Sequence, residues 1–261
     1  MLSAAPVIGN GPLDQGSYAD LYDRWILSDR ARAIHGDAGF YNVGDWTGDT
    51  NLESGSLQAA AQRLLRRHCA ADPEPDAARA VLDVGCGLGA TTATLHQHYP
   101  GALLVGLNIS REQIAVAADN APGARFVAAD AATLPFAGAS FDRIHCVEAA
   151  FHFDTRQAFL KEAFRVLRPG GLCVLSDLLL KGRLSAVATP ADNVCATIKE
   201  YRRRCGAAGF DVERSDEIGA VTLWPFCDHL ERHGERAMAL ALRRNAVGYV
   251  LAALRKPQGT P

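Results

Sequence analysis

The chain has 261 residues, 48% of them hydrophobic and 21% charged, with a formal net charge of −2. That balance suits a soluble globular enzyme with one well-buried α/β core, and it offers no basic face, so nucleic acid is not an expected partner. The seven cysteines are scattered with no C-x-x-C pair, no basic-then-apolar leader opens the chain, and no apolar run approaches the roughly 18 residues of a membrane span; a disulfide framework, a zinc site and a membrane partner are therefore excluded, and a reduced, cytoplasmic protein is expected.

In chain order, residues 1–16 are rich in Gly, Pro and small side chains and read as flexible. Tyr18, Leu21, Tyr22, Trp25 and Ile26 recur at helical spacing, predicting a helix over 18–34. The loop Phe40-Tyr41-Asn42-Val43-Gly44-Asp45-Trp46 is aromatic but broken by Gly and Asp; it reads as a structural clasp or as part of a pocket wall, with Tyr41 its candidate ligand contact. A second helix is predicted over 52–69, and residues 70–76, with two prolines, form a linker.

The chain is then organised around Val81-Leu82-Asp83-Val84-Gly85-Cys86-Gly87-Leu88-Gly89-Ala90. An apolar run, an acid, three alternating glycines and a helical pattern predict strand, tight turn and helix N-terminus. Glycine allows positive φ and close approach by a ligand, and the free N–H groups of a helix start suit a phosphate or carboxylate. Two cofactor readings compete: G-x-G-x-x-A is a variant of the dinucleotide fingerprint, and D-x-G-x-G-x-G resembles motif I of class I S-adenosylmethionine-dependent methyltransferases.

After a helix over 90–99, strands are predicted over 103–107, 125–129, 141–147 and 172–176. Helices come between them, one opened by the capping box of Ser110-Arg111-Glu112-Gln113 and another over 154–167. A helix near 192–207, a strand near 210–213, a helix near 224–244 and a last strand over 248–254 complete the pattern. Alternation of this kind predicts a parallel sheet with right-handed crossovers.

Three further strings separate the two cofactors. Gly106-Leu107-Asn108-Ile109-Ser110-Arg111-Glu112-Gln113, Asp130-Ala131-Ala132-Thr133-Leu134-Pro135-Phe136 and Leu167-Arg168-Pro169-Gly170-Gly171 follow the glycine turn in order. Together these motifs resemble the class I S-adenosylmethionine-dependent methyltransferases, in the small-molecule, natural-product branch related to cyclopropane-synthase-like enzymes.

The resemblance implies a Rossmann-like α/β fold: a seven-stranded, mostly parallel sheet with helices on both faces. Residues 1–75 would be a flexible segment and N-terminal helical cap, and 76–261 the cofactor-binding domain. It implies S-adenosylmethionine as cofactor, with Asp83 serving its amino-acid end, Gly85 and Gly87 opening the turn, Asn108 and Ile109 lining it, Gln113 on the ribose diol, Asp130 on the adenine amine and the Ala131 backbone on the ring. Asn108 stands where relatives usually carry Asp or Glu.

Methyl transfer is a displacement needing in-line proximity and no metal; a hydroxyl acceptor benefits from a general base. His152 and Asp177 fall at the strand ends, where an open α/β sheet places its substrate. An imidazole titrates near neutrality, and relatives use a His–Asp pair at similar separation; the alternatives are a packing histidine and a capping carboxylate. Glu148 reads either as a second carboxylate at the pocket or as one simply oriented to a neighbouring backbone. His229 and His233, at i and i+4, lack a third metal ligand; Arg202-Arg203-Arg204 reads as a solvated helix face, and His145 as a core histidine. The segment 178–191 is short for a lid, so the pocket is open or another element closes it.

The expected protein is thus a methyltransferase acting on a small-molecule acceptor, most naturally a hydroxyl of a secondary metabolite, with a homodimer allowed. N- or C-methylation and a non-catalytic, S-adenosylmethionine-binding partner subunit are the alternatives. Cyclopropanation is disfavoured because Phe151 replaces the Glu of those relatives.

Overall fold

The computed structural model describes residues 23–48, 56–184 and 189–259. The expectations for residues 1–22 and 52–55, the flexible start and two helix beginnings, lie outside the described residues. Among the described residues, no helix is long and apolar enough to cross a membrane.

The strands are β1 (Ala80–Val84), β2 (Leu103–Asn108), β3 (Arg125–Ala128), β4 (Phe141–Val147), β5 (Leu167–Leu180), β6 (Asp211–Glu217) and β7 (Ala246–Arg255). They form one sheet in the order β3-β2-β1-β4-β5-β7-β6. β1 pairs parallel with β2 and β4, β2 with β3, and β4 with β5; β7 runs antiparallel between β5 and β6. This is the seven-stranded, mostly parallel sheet that the alternating pattern predicts. The carboxyl ends of the first five strands meet along one edge, where the order turns back from β1 to β4.

The helices are α1 (Asp29–His35), α2 (Ser56–Cys69), α3 (Ala90–His98), α4 (Arg111–Asn120), α5 (Arg156–Val166), α6 (Ile198–Ala207), α7 (Leu223–Arg232) and α8 (Arg236–Asn245). Ser28, Ser110, Thr155 and Thr197 each accept from the N–H three residues on, at the starts of α1, α4, α5 and α6. Such side-chain caps satisfy donors that the first turn leaves orphaned. They also correct two extents: the helix expected over 18–34 breaks at Leu27-Ser28, and the one expected near 192 begins at Ile198. The helix expected near 224–244 is two, separated at Gly234, whose φ is 83°. β5 is longer than expected, running through Pro169-Gly170-Gly171 with a register shift against β4.

Neighbouring strand residues face opposite sides of a sheet, and the core follows that rule. Leu82, Ile144 and Leu175 pack with Phe159, Leu160 and Tyr201 of α5 and α6. Val81, Leu104 and Phe126 pack with Leu65, Leu95 and Ile114 of α2, α3 and α4. Val174, Leu178 and Leu251 meet a third group, Trp46, Leu57, Leu223 and Ala239, so α2, α7, α8 and the aromatic loop cover that end of the sheet.

Candidate active site

The glycine turn comes first. Gly85 and Cys86 both donate their N–H to the Leu107 carbonyl, at 2.8 and 3.1 Å, locking the turn onto β2. Gly85 (φ 77°) has no room for a side chain, because a Cβ there would lie 2.4 Å from the Ala149 Cβ. Gly87 (φ 53°) is different: a Cβ there meets nothing within 4 Å, and the residue lines a cavity of about 260 Å³. The first glycine is required by packing, and the second leaves space on the ligand side.

Asp83 is buried behind the turn rather than in the cavity wall. Its carboxylate accepts from Thr92 Oγ1 at 2.7 Å, and burial pushes its pKa up to about 7. Asp83 is thus tied to the first turn of α3, which carries Thr92 and the wall residue Thr91.

At the end of β2, Asn108 and Ile109 line the cavity with Gln113. Asn108 Nδ2 donates to Gln113 Oε1 at 2.9 Å, and Gln113 Nε2 donates to Asp23 Oδ1 at 2.8 Å. Ser110 fixes this cluster, because its Oγ accepts from the Gln113 N–H at 3.0 Å. Asp23 was not foreseen; it lies 90 residues away and nothing in the local pattern signals it. After β3, Asp130 and Ala131 line the same cavity, and Asp130 Oδ1 accepts from the Ala132 N–H at 2.8 Å.

The aromatic loop proves to be both clasp and wall. Trp46 is buried and donates Nε1–H to the Val43 carbonyl at 2.8 Å, while Tyr41, Asn42 and Val43 line the cavity. Tyr41 Oη donates to the Ile26 carbonyl at 2.8 Å, and burial raises its pKa.

Beyond β4 lies the reactive end. A 3-10 turn, Ala150–His152, follows the strand directly, and His152 lines the cavity with its ring against Phe151, centroids 3.7 Å apart. Glu148 lines it too, in a left-handed backbone conformation (φ 54°) uncommon for a residue with a side chain. Its Oε2 accepts from the Val43 N–H and from Tyr249 Oη, both at 2.8 Å, and Tyr249 Oη also lies 3.0 Å from Ser176 Oγ. Burial pushes the Glu148 carboxyl up to about 8, against those two donors.

The expected His152–Asp177 pair is corrected. Asp177 is fully buried beneath the sheet, its Oδ2 2.6 Å from Arg156 Nε in an ion pair. Tyr201 Oη donates to the same oxygen at 3.2 Å, and the Leu178 N–H donates to the other at 2.9 Å. The cause is strand alternation. Asp177 shares its side of β5 with Leu175 and Leu179, which face α5 and α6, whereas Leu178 faces the cavity.

Apart from His35 and Asp154, the rest of the cavity is mostly apolar. Trp25, Phe151, Leu178 and Leu184 line its sides, and Phe226, Met238 and Leu242 of α7 and α8 line its roof. The helical pair α7 and α8 thus contributes to the wall of this cavity. The i, i+3, i+4 spacing of Met238, Ala241 and Leu242 is the signal that could have found this roof. His229 is buried, its Nε2 3.2 Å from the Ile34 carbonyl, and packs on His233. Among the described residues, no cluster of His, Cys, Asp or Glu could hold a metal ion.

A family model described as a methyltransferase domain matches residues 82–175. The chain is 31% identical over 267 residues to methyltransferase GfsG of Streptomyces halstedii, covering 91% of this chain and 93% of that one. It is 29% identical over 238 residues to 27-O-demethylrifamycin SV methyltransferase of Amycolatopsis mediterranei, covering 78% and 87%. Among solved structures it resembles the [4+2]-cyclase SpnF, with a TM-score of 0.76 and 21% identity over 92% of this chain and 96% of that one.

Proposed function

The chain belongs to the family of S-adenosylmethionine-dependent methyltransferases, and from that membership we propose that it methylates a hydroxyl of a small secondary metabolite, with His152 as general base. One observation carries the reading: a single cavity joins the glycine turn to an apolar chamber, with His152 and Glu148 in its wall. A relative whose name places its methyl on an oxygen supports the choice of acceptor atom. The fold alone would not, since a protein named as a cyclase shares it.

The residues present fit the cofactor. Gly87 leaves open the volume that any Cβ would fill. When bound, S-adenosylmethionine supplies a methyl on a sulfonium, already a good leaving group. Asn108 and Gln113 would hold its ribose hydroxyls, with Asp23 orienting Gln113; Asp130 and the Ala131 backbone would meet the adenine; Tyr41 and Ile109 would wall it in. His152 takes the acceptor's proton, and the apolar chamber excludes water from the reacting oxygen. A cytoplasmic setting fits the free, buried thiols.

The test is His152→Ala assayed against hydroxylated acceptors. Loss of a general base should lower kcat by roughly 10²–10⁴. Affinity for S-adenosylmethionine should hold. Normal turnover by the variant would sink the assignment to His152 and pass the role to Glu148.

A further inference from the structure

The acceptor end of the cavity has a charge property that bears on substrate class. Every lysine and arginine of the chain lies among the described residues, since residues 1–22, 49–55, 185–188 and 260–261 contain neither. Among the described residues that line the cavity, none is lysine or arginine. Its charged or titratable wall residues are instead Asp130, Glu148, Asp154, Tyr41, Cys86 and the imidazoles of His35 and His152. Burial, with His229 nearby, lowers the His35 pKa to about 4, so that ring is neutral at physiological pH. The chamber roof offers Phe226, Met238, Ala241 and Leu242, and its sides Trp25, Leu178 and Leu184.

From this we propose that the acceptor is an uncharged, largely apolar molecule, and that phosphorylated or carboxylated forms of the same skeleton are excluded. An anion brought into this chamber would lose its hydration and meet no lysine or arginine, while Glu148 and Asp154 stand in the wall beside the apolar groups; loading with S-adenosylhomocysteine, which lacks the sulfonium, tests the protein's own wall. Burying an unpaired charge is far costlier than burying the same skeleton with a neutral hydroxyl. The apolar wall rewards the neutral form by removing its hydrocarbon surface from water. The inference rests on the methyl-transfer reading for the identity of the site. It also sets an order of events: any reaction that removes a phosphate from the acceptor skeleton must precede the step performed here.

The test uses two probes that differ only in their head group, farnesol and farnesyl diphosphate. Each is titrated against protein loaded with S-adenosylhomocysteine and the neutral dye Nile red, with Mg²⁺ present so that the diphosphate is not disadvantaged. Farnesol should displace the dye at a concentration at least ten-fold lower than the diphosphate. Met238→Lys, which places an ammonium in the roof, should strengthen the diphosphate at least ten-fold and weaken farnesol, so that the order of the two probes reverses. Equal or tighter binding of the diphosphate by the wild type, or failure of Nile red to bind, would overturn the proposal. Calorimetry with S-adenosylhomocysteine separates the two readings. Loss of that binding refutes the methyl-transfer reading, whereas its retention alongside a diphosphate preference refutes only the neutral acceptor.

Discussion

Gly85 and Gly87 stand two residues apart with positive φ, yet they answer to different forces, and substitution should separate them. Gly85→Ala drives a Cβ to 2.4 Å from Ala149; overpacking of this kind costs about 1–3 kcal/mol, and the left-handed backbone adds about 1–2 kcal/mol more. Its melting temperature should fall. Gly87→Val meets no protein atom at its Cβ, so it carries only the backbone strain while filling the cofactor's volume. It should lose S-adenosylmethionine binding and keep most of its stability. Calorimetry and a melting curve on both variants check this, and unchanged cofactor affinity in Gly87→Val would displace the site. Both glycines were legible because the turn is a local string. Asn108 and Gln113 were legible for the same reason, but Asp23, which completes their cluster, comes from a segment whose position depends on tertiary packing. Asp177 was legible and misread: counting alternation along β5 from Leu175 places its side chain toward α5, away from the cavity.

At the scale of elements, the misread aspartate clamps β5 to α5. Arg156 is fully buried; its Nε pairs with Asp177, and its guanidinium also donates to the carbonyls of Asn193 and Leu178. Asn193 in turn accepts from the Arg156 N–H through Oδ1 at 2.7 Å and donates to the Phe151 carbonyl at 3.0 Å, so this network underlies the turn that carries His152. Removing one partner of a buried pair strands the other charge, at a cost of about 3–5 kcal/mol. Asp177→Asn should therefore lower stability by that order, while kcat of the folded enzyme falls far less than in His152→Ala. Urea unfolding and turnover measured on the same samples decide it; a stable variant with the kinetic defect of His152→Ala would restore the catalytic pair. The elements themselves were largely readable, since strand and helix periods survive in a chain that buries most of its sheet. Their ends were not. The division of α7 from α8 had a signal in Gly234, but the place of that helical pair in the cavity wall is a property of the assembled fold.

Over the whole molecule, burial acts on two kinds of titratable group in opposite senses, and their sum fixes how stability follows pH. Burial lowers the pKa of His35 and His229 to about 4, of His145 to about 3, and of His68 well below its usual value. These rings stay neutral in the folded chain and become protonated on unfolding below about 6.5, so each contributes stability that is lost as pH falls through that value. Burial raises Asp83 to about 7 and Glu148 to about 8. These carboxyls keep protons in the folded chain that the unfolded chain has released above about 4. Their contribution is full at low pH and is lost as pH rises through the folded values. Between about pH 4.5 and 6.5 the histidines outnumber the acids, four against two. Unfolding then takes up one to two protons, and stability should fall on acidification by on the order of 1–3 kcal/mol per pH unit. Above about 6.5 the histidine contribution is constant, and the acids alone give a shallower decline toward pH 8. Maximum stability is therefore expected near pH 6.5, with Glu148→Gln flattening the alkaline side and His145→Phe the acid side. Urea midpoints from pH 5 to 8.5 measure this curve. Stability that rises steadily to pH 8, or that peaks below pH 5.5, would show that the buried imidazoles do not govern it.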